Sequence, residues 1–202
     1  MIRNLLILLA SLTLFWGCMA NEEKSAEGEA NPSMTEESSE GPEVYKTTVE
    51  VVTLNDTLES PRREMMAEIG GTEVTVNYGS PSVKEREIWG ELVPYEEVWR
   101  TGANEATVFT VGQDVKIEGQ TLPAGKYGLF TIPGEKDWTI IFNETAEQWG
   151  AYEYDESKDV LRVKVKPETM EEASEKMEFT AQDGQIIMMW ENVMVPMSVE
   201  PA

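Results

Sequence analysis

The sequence predicts an all-β domain, an antiparallel β-sandwich of jelly-roll-like type, preceded by a signal peptide and a disordered acidic tether. Three observations predict this arrangement. Hydrophobic side chains recur at every second position in several short runs, and turn residues separate these runs at close intervals. The first 59 residues differ in composition from the rest. Closely spaced short strands are typical of sandwiches and barrels.

Residues 1–17 have the pattern of a secretory signal peptide. Arg3 gives a positive start, residues 5–16 form an apolar run, and a glycine precedes Cys18. As a helix, the apolar run would span roughly 18 Å, short of the ~30 Å hydrocarbon core of a bilayer. The segment is therefore predicted to be cleaved rather than to span the membrane.

Cys18 follows a sequence, LFWGC, that resembles a bacterial lipobox. The resemblance implies that Cys18 is lipidated, and the alternative is an ordinary signal peptide with an incidental cysteine. Lipidation predicts an address in the cell envelope, with the chain held to the outer membrane on its periplasmic or surface face. The membrane is then a partner through the lipid anchor.

Residues 18–59 are rich in acidic residues, Ser, Gly, Ala and Pro. Such a segment buries too little apolar surface to offset chain entropy, so it is predicted to be a disordered linker. Residues 47–54 are a possible strand within it. The folded domain is predicted over residues 60–202.

Composition excludes several classes of function. The chain has a net charge of −22 and a pI of about 4.3, which disfavours nucleic acid as a partner. It has no histidine, which removes the commonest general base and zinc ligand, and one cysteine, so the domain has no disulfide. No P-loop, dinucleotide fingerprint, HExxH or GxSxG motif is present. No metal, cofactor or catalytic residue is predicted.

Within the domain, residues 73–78 and 161–166 alternate apolar and polar side chains, as strands with one wet face do. Residues 125–132 and 186–190 are apolar on both sides and are predicted to be central strands. Residues 169–176 are predicted to form a short helix or a loop. Glycine-containing turns are predicted at 70–71, 133–134 and 183–184, and short strands near Phe109, Val115 and Leu122.

Three long motifs carry a family resemblance: IWGELVPYEEVWRTGANEAT, LPAGKYGLFTIPGEKDWTIIFN and QWGAYEYDESKDVLRVKV. They resemble DUF2911, a family found mostly in Bacteroidota and described as a β-rich exported or lipid-anchored domain without an established activity. The resemblance runs from about Ser60 to the C-terminus. Glu85 stands where that family typically has glycine, which questions a tight turn there because glycine tolerates positive φ better.

The connection over residues 80–107 is too long for a hairpin, and such connections are often functional. Arg100 in it could bind a carboxylate or phosphate, or could form a structural pair with Glu105 or another acid. Asn104 and Glu105 could face a ligand or a hard cation. Alternatively, Asn104 caps its own loop and Glu105 is solvated or paired with an arginine.

Two aromatic groups are candidates for stacking on sugar rings. The first comprises Trp89, Tyr95 and Trp99, and the second includes Trp149 and Tyr152. Aromatic side chains are also the usual filling of a sandwich core, so both interpretations stay open.

These observations favour a binding or structural module of the envelope that uses residues 84–107 to hold a glycan, small molecule or partner. The alternative function is a carboxylate-dependent hydrolase acting on envelope glycans, which would need two acids facing each other and one raised pKa. A third hypothesis is a purely architectural lipoprotein. The oligomeric state does not follow from the sequence.

Overall fold

The computed structural model of the chain describes residues 47–202. The expected signal peptide, the lipidation of Cys18 and residues 18–46 of the expected linker lie outside this part. The described elements are β1 Thr47–Asn55, β2 Arg62–Ile69, β3 Thr72–Gly79, β4 Thr107–Val111, β5 Val115–Ile117, β6 Gln120–Leu122, β7 Gly125–Ile132, β8 Trp138–Asn143, a 3₁₀ turn Glu156–Lys158, β9 Asp159–Val165, β10 Glu168–Gln182 and β11 Gln185–Pro201.

Two antiparallel sheets form the fold, which confirms the predicted all-β class. The larger sheet has seven strands in the order β1-β2-β3-β4-β7-β8-β9, and the smaller has four in the order β10-β11-β5-β6. Strand order in the larger sheet follows the chain except where the β5–β6 hairpin leaves to join β11.

The main core lies on one face of the larger sheet, and the alternation in the sequence explains why. Val74, Val76 and Tyr78 on β3 have no exposed surface, while the residues between them are more exposed. They belong to one cluster with Met177 and Met188 of the smaller sheet. The periodicity prediction for β3 is confirmed.

The turn predictions are also confirmed. The glycines at 70–71 connect β2 to β3, residues 133–134 follow β7, and residues 183–184 connect β10 to β11. Gly70 and Gly71 both have positive φ, 57° and 81°, which glycine adopts without steric cost.

Residues 169–176 are not a helix or a loop, so that prediction is wrong. They lie in β10, which pairs with β11 through irregular register between Thr169 and Glu178. The Glu, Met, Ala and Lys residues here favour a helix weakly, and pairing with a long neighbouring strand overrides that preference.

Residues 47–54, the possible strand, are in β1, so that prediction is confirmed. The strand pairs with β2 from Thr47 to Asn55 and adds an edge to the larger sheet. The sheet therefore begins before residue 60.

The tight turn forms at Glu85 even though a residue with a side chain is disfavoured in this conformation. Its φ is 57°, and that of Lys84 is 49°, so two successive non-glycine residues occupy the left-handed region. The backbone N–H of Lys84 donates to Glu175 Oε1 over 3.0 Å, which helps to hold this turn on β10.

No helix among residues 47–202 is long and apolar enough to cross a membrane.

Candidate functional site

The connection over residues 80–107 is fixed to the sheets by backbone hydrogen bonds. The N–H of Val83 donates to the carbonyl of Glu175 in β10 over 2.8 Å. Trp99 and Thr131 of β7 exchange two hydrogen bonds of 2.7 and 2.9 Å. We call this connection the long loop. Its ends and its middle are therefore ordered, which is the condition for positioning a binding site.

Backbone strain is concentrated in the long loop. Five of the eight non-glycine residues with positive φ among residues 47–202 lie in it: Lys84, Glu85, Glu96, Thr101 and Asn104. Thr101 is β-branched and buried, with φ 54°, an unfavourable combination. Its carbonyl accepts a 2.6 Å hydrogen bond from Thr107 Oγ1, and its own hydroxyl lies 3.1 Å from that of Thr131. Such strain tends to cluster at functional sites.

Two tryptophans of the long loop cluster with Trp138 and Trp190 of the sheets. Trp89 contacts Trp99, Trp138 and Trp190 edge-on, with ring centroids 5.0 to 5.9 Å apart. Trp99 stacks on Trp190 at 5.9 Å. Trp89 and Trp99 therefore pack into the core rather than standing at the surface, and Tyr95 is 37% exposed.

A pocket of about 280 Å³ opens between the long loop and the stacked tryptophans. Its lining includes Trp99, Trp190, Arg100 and Asn104, the cations Lys84 and Arg86, and Glu59. Three cationic side chains and one carboxylate line it, although the chain as a whole carries −22. The pocket is therefore locally positive, whereas the whole chain is negative.

Among residues 47–202, Arg100 has no acidic partner for its charge. Its side chain forms no hydrogen bond with residues 47–202, no carboxylate of that part lies within 4.0 Å, and its Nε is buried. Burial lowers the pKa of the guanidinium, and the Tyr152 phenol opposes this shift. A buried donor without an acceptor costs free energy, so this position is unusual for a structural arginine.

The expected alternative, an ion pair between Arg100 and Glu105, does not form in this structure. Glu105 faces Arg62 instead, with 3.9 Å between Arg62 Nη1 and Glu105 Oε2. Arg62 also donates to the carbonyl of Ala106 over 3.3 Å and is anchored by Asn77. Glu105 is thus paired with an arginine, but with one that lies on β2.

The other two cations of the pocket, unlike Arg100, have partners in the structure. Lys84 Nζ pairs with Glu59, half exposed to solvent. Arg86 donates from Nε to the carbonyl of Val83 over 3.0 Å, and from Nη2 to that of Ser82. Neutral carbonyls leave the charge of Arg86 uncompensated, so it adds to the positive potential at the pocket.

Asn104 lines the pocket and fixes its neighbours. Its φ is 63°, and its side-chain amide donates to the Ser60 carbonyl over 3.3 Å. Its own carbonyl accepts from Gly150 over 3.0 Å. Asn104 thus joins the long loop to the connection between β1 and β2 and to the loop that carries the second aromatic group.

That second aromatic group is exposed. Trp149 is 59% exposed and Tyr152 is 87% exposed. Trp149 forms an isolated bridge with Glu105 of the long loop, so both aromatic residues stand next to the candidate site. Trp149 itself lines a different cleft, on the outer face of the larger sheet, together with Arg62 and Glu105.

Among residues 47–202, the carboxylates whose pKa is shifted do not show the signature of a general acid. The carboxylates with a shifted pKa are Glu59, Glu147 and Asp155, and each is lowered, by hydrogen bonds to Lys84, Lys126 and Ser157 respectively. A general acid requires the opposite direction. Within residues 47–202 no group of three or more acidic side chains could hold a metal ion.

A family profile covers most of the described chain. The profile of DUF2911, a protein of unknown function, matches residues 60–199. The chain belongs to the DUF2911 family. This confirms the resemblance carried by the three sequence motifs. No curated protein and no solved structure matches the chain.

Sequence reasoning missed part of the site of this DUF2911 chain. Trp190 and Trp138 lie in strands far along the chain from Trp99, and only the tertiary fold brings them together. Lys84 and Arg86 lie in the long loop, but their convergence with Arg100 on one pocket depends on how that loop folds.

Proposed function

We propose that this domain is a binding module that holds a small anionic ligand in the pocket of the long loop. Arg100 is the principal contact. The observation that carries the proposal is its buried Nε, which has no acceptor among residues 47–202 although the side chain is charged. An anionic ligand in the pocket would compensate the charge of the guanidinium.

The chemistry of the lining defines the ligand class. The planar fork of an arginine matches the two oxygens of a carboxylate or phosphate. Trp99 and Trp190 add an apolar wall, and the indole Nε1 of Trp190 is a second buried donor that finds no acceptor within residues 47–202. The volume of about 280 Å³ lies below the usual range for drug-sized ligands, ~300–1,000 Å³. A small organic acid or phosphorylated metabolite fits these properties.

Replacing Arg100 by glutamine tests the proposal. The full-length chain should be screened by thermal shift against inorganic phosphate, citrate and other small carboxylates at low ionic strength. A ligand at 100 times its Kd should stabilise the wild type by about 2.7 kcal/mol. R100Q should weaken binding by about 2 kcal/mol, roughly 30-fold, because a charge-assisted contact is lost.

K136Q is the matched control. Lys136 is exposed and lies outside the pocket, so its replacement changes the net charge equally and should leave binding unchanged. If R100Q and K136Q weaken anion binding equally, the effect comes from the change in net charge and not from a contact with Arg100. A panel without any stabilising anion would contradict the proposed function.

We further propose that the domain acts in the cell envelope, held to the outer membrane through a lipidated Cys18. The support is the signal-like start and the glycine–cysteine pair at 17–18. C18S should abolish incorporation of labelled palmitate in a bacterial host that processes lipoproteins, while the wild type is labelled. Equal labelling of both would refute the anchor.

A further inference from the structure

A second cleft lies on the outer face of the larger sheet, away from the core. Its volume is about 720 Å³. Alternate residues of adjacent strands form its floor, among them Glu64, Asn77 and Thr110. It extends over β2, β3, β4 and β7, which at ~4.8 Å per strand is roughly 14 Å across the sheet.

One wall of this sheet-face cleft carries an exposed tryptophan on a fixed backbone. The loop that follows β8 packs closely over Gly128, where an added Cβ would lie 2.6 Å from the Thr145 carbonyl. Gln148 then accepts a 3.0 Å hydrogen bond from the Ala106 N–H, and Trp149 bridges to Glu105. The Trp149 ring is therefore presented to solvent by an ordered segment rather than by a flexible one.

Gln148 supplies an independent observation that points to a ligand. Its side chain lines the cleft and is 8% exposed, and its Oε1 is buried without a donor among residues 47–202. Its Nε2 is already used by the Thr145 carbonyl over 3.1 Å. A buried acceptor without a donor costs free energy, and a ligand hydroxyl that reached this oxygen would supply the donor.

The charged groups of the cleft nearly cancel. Arg62 lies against Glu105 and Asn77, and Asn77 in turn donates to Glu64 Oε2 over 3.1 Å. At the rim Lys126 pairs with Glu147. Two cations and three carboxylates give a small negative balance, which disfavours an anionic ligand and separates this cleft from the Arg100 pocket.

We propose that the sheet-face cleft binds a neutral saccharide, with one sugar ring stacked on Trp149. An aromatic face suits the apolar side of a pyranose, while Arg62, Asn77 and the carboxylates beside them offer donors and acceptors for its hydroxyls. The cleft is wider than one sugar ring, so the ligand class is an oligosaccharide or a segment of a polysaccharide. This site stands independently of the anion pocket.

Affinity electrophoresis and tryptophan fluorescence test the proposal on the full-length chain in detergent. The probes are neutral glycans of defined composition: laminarin, xylan, maltohexaose and chitohexaose. We expect at least one of them to retard the wild type and to change its fluorescence. W149A should weaken that binding at least tenfold and lose the fluorescence change, with an unchanged melting temperature.

Y152A and R100Q are the controls. Tyr152 is an exposed aromatic residue of the same loop that does not line the cleft, and Arg100 lines the other pocket, so both variants should bind the glycan as the wild type does. Binding that survives in W149A, or that is restricted to acidic polysaccharides, would overturn the inference. So would a lack of retardation by all four neutral glycans. None of these outcomes bears on anion binding by Arg100.

Discussion

Replacing Gly79 by alanine is expected to lower the free energy of unfolding by at least about 3 kcal/mol. A Cβ at this position would lie 2.1 Å from the carbonyl oxygen of Ala103. The obstacle is backbone, not a flexible side chain, and the Ala103 N–H already donates to the Gly79 carbonyl over 3.2 Å. The long loop would have to move off β3, which would also displace Arg100. Urea unfolding measures the first effect and anion titration the second.

G112A is the matched control for this prediction. A Cβ at Gly112 would meet only the Glu73 carbonyl, at 4.0 Å, and its φ is not in the left-handed region. Its stability should change by less than about 1 kcal/mol, with a gain expected from the reduced entropy of the unfolded chain. Equal stability of G79A and G112A would contradict the tight packing of the loop on β3.

D159A is expected to destabilise the domain by about 3 kcal/mol, because it removes the acceptor of three side-chain donors. Tyr154 Oη and Arg162 Nε donate to Asp159 Oδ2 over 2.7 and 2.6 Å, and Asn143 Nδ2 donates to Oδ1 over 2.7 Å. The Asp159 side chain is 7% exposed. The melting temperature should fall by about 6–12 °C.

Y154F is the comparison for D159A. Burial, together with the hydrogen bond to Asp159, raises the pKa of Tyr154 to about 12, so its hydroxyl stays a donor at neutral pH. Removing this hydroxyl also removes the acceptor of Arg162 Nη2, but it leaves Asp159 with Arg162 Nε and Asn143, and should cost about 1 kcal/mol. If D159A melts no lower than Y154F, the three hydrogen bonds to Asp159 do not stabilise the domain as expected.

The fold could be predicted from the sequence where apolar and polar residues alternate without interruption. On β3 every second residue is buried, and residues 70–71 connect it to β2. β10 could not be predicted in this way. Its residues before Met177 are mostly exposed on both faces, so they carry no period, and their pairing with β11 depends on residues that follow in the chain.

The site could be located from the sequence, but its partners could not be assigned. Length and composition indicated the long loop and Arg100. Glu105 pairs with Arg62 rather than Arg100 because of the register of β2 and the positive φ of Asn104. Neither feature can be predicted from the local sequence. Burial of Trp89 and Trp99 likewise depends on Trp190, a distant residue.

The claim that Arg100 is a free cation for a ligand is tested most directly by NMR of the arginine Nε–H groups. The Arg100 signal is the one missing from R100Q, and the Arg162 Nε–H, already bonded to Asp159 over 2.6 Å, is an internal reference. During titration with inorganic phosphate or citrate, the Arg100 signal should shift saturably while that of Arg162 stays in place. An Arg100 signal that does not move with either anion would contradict the account.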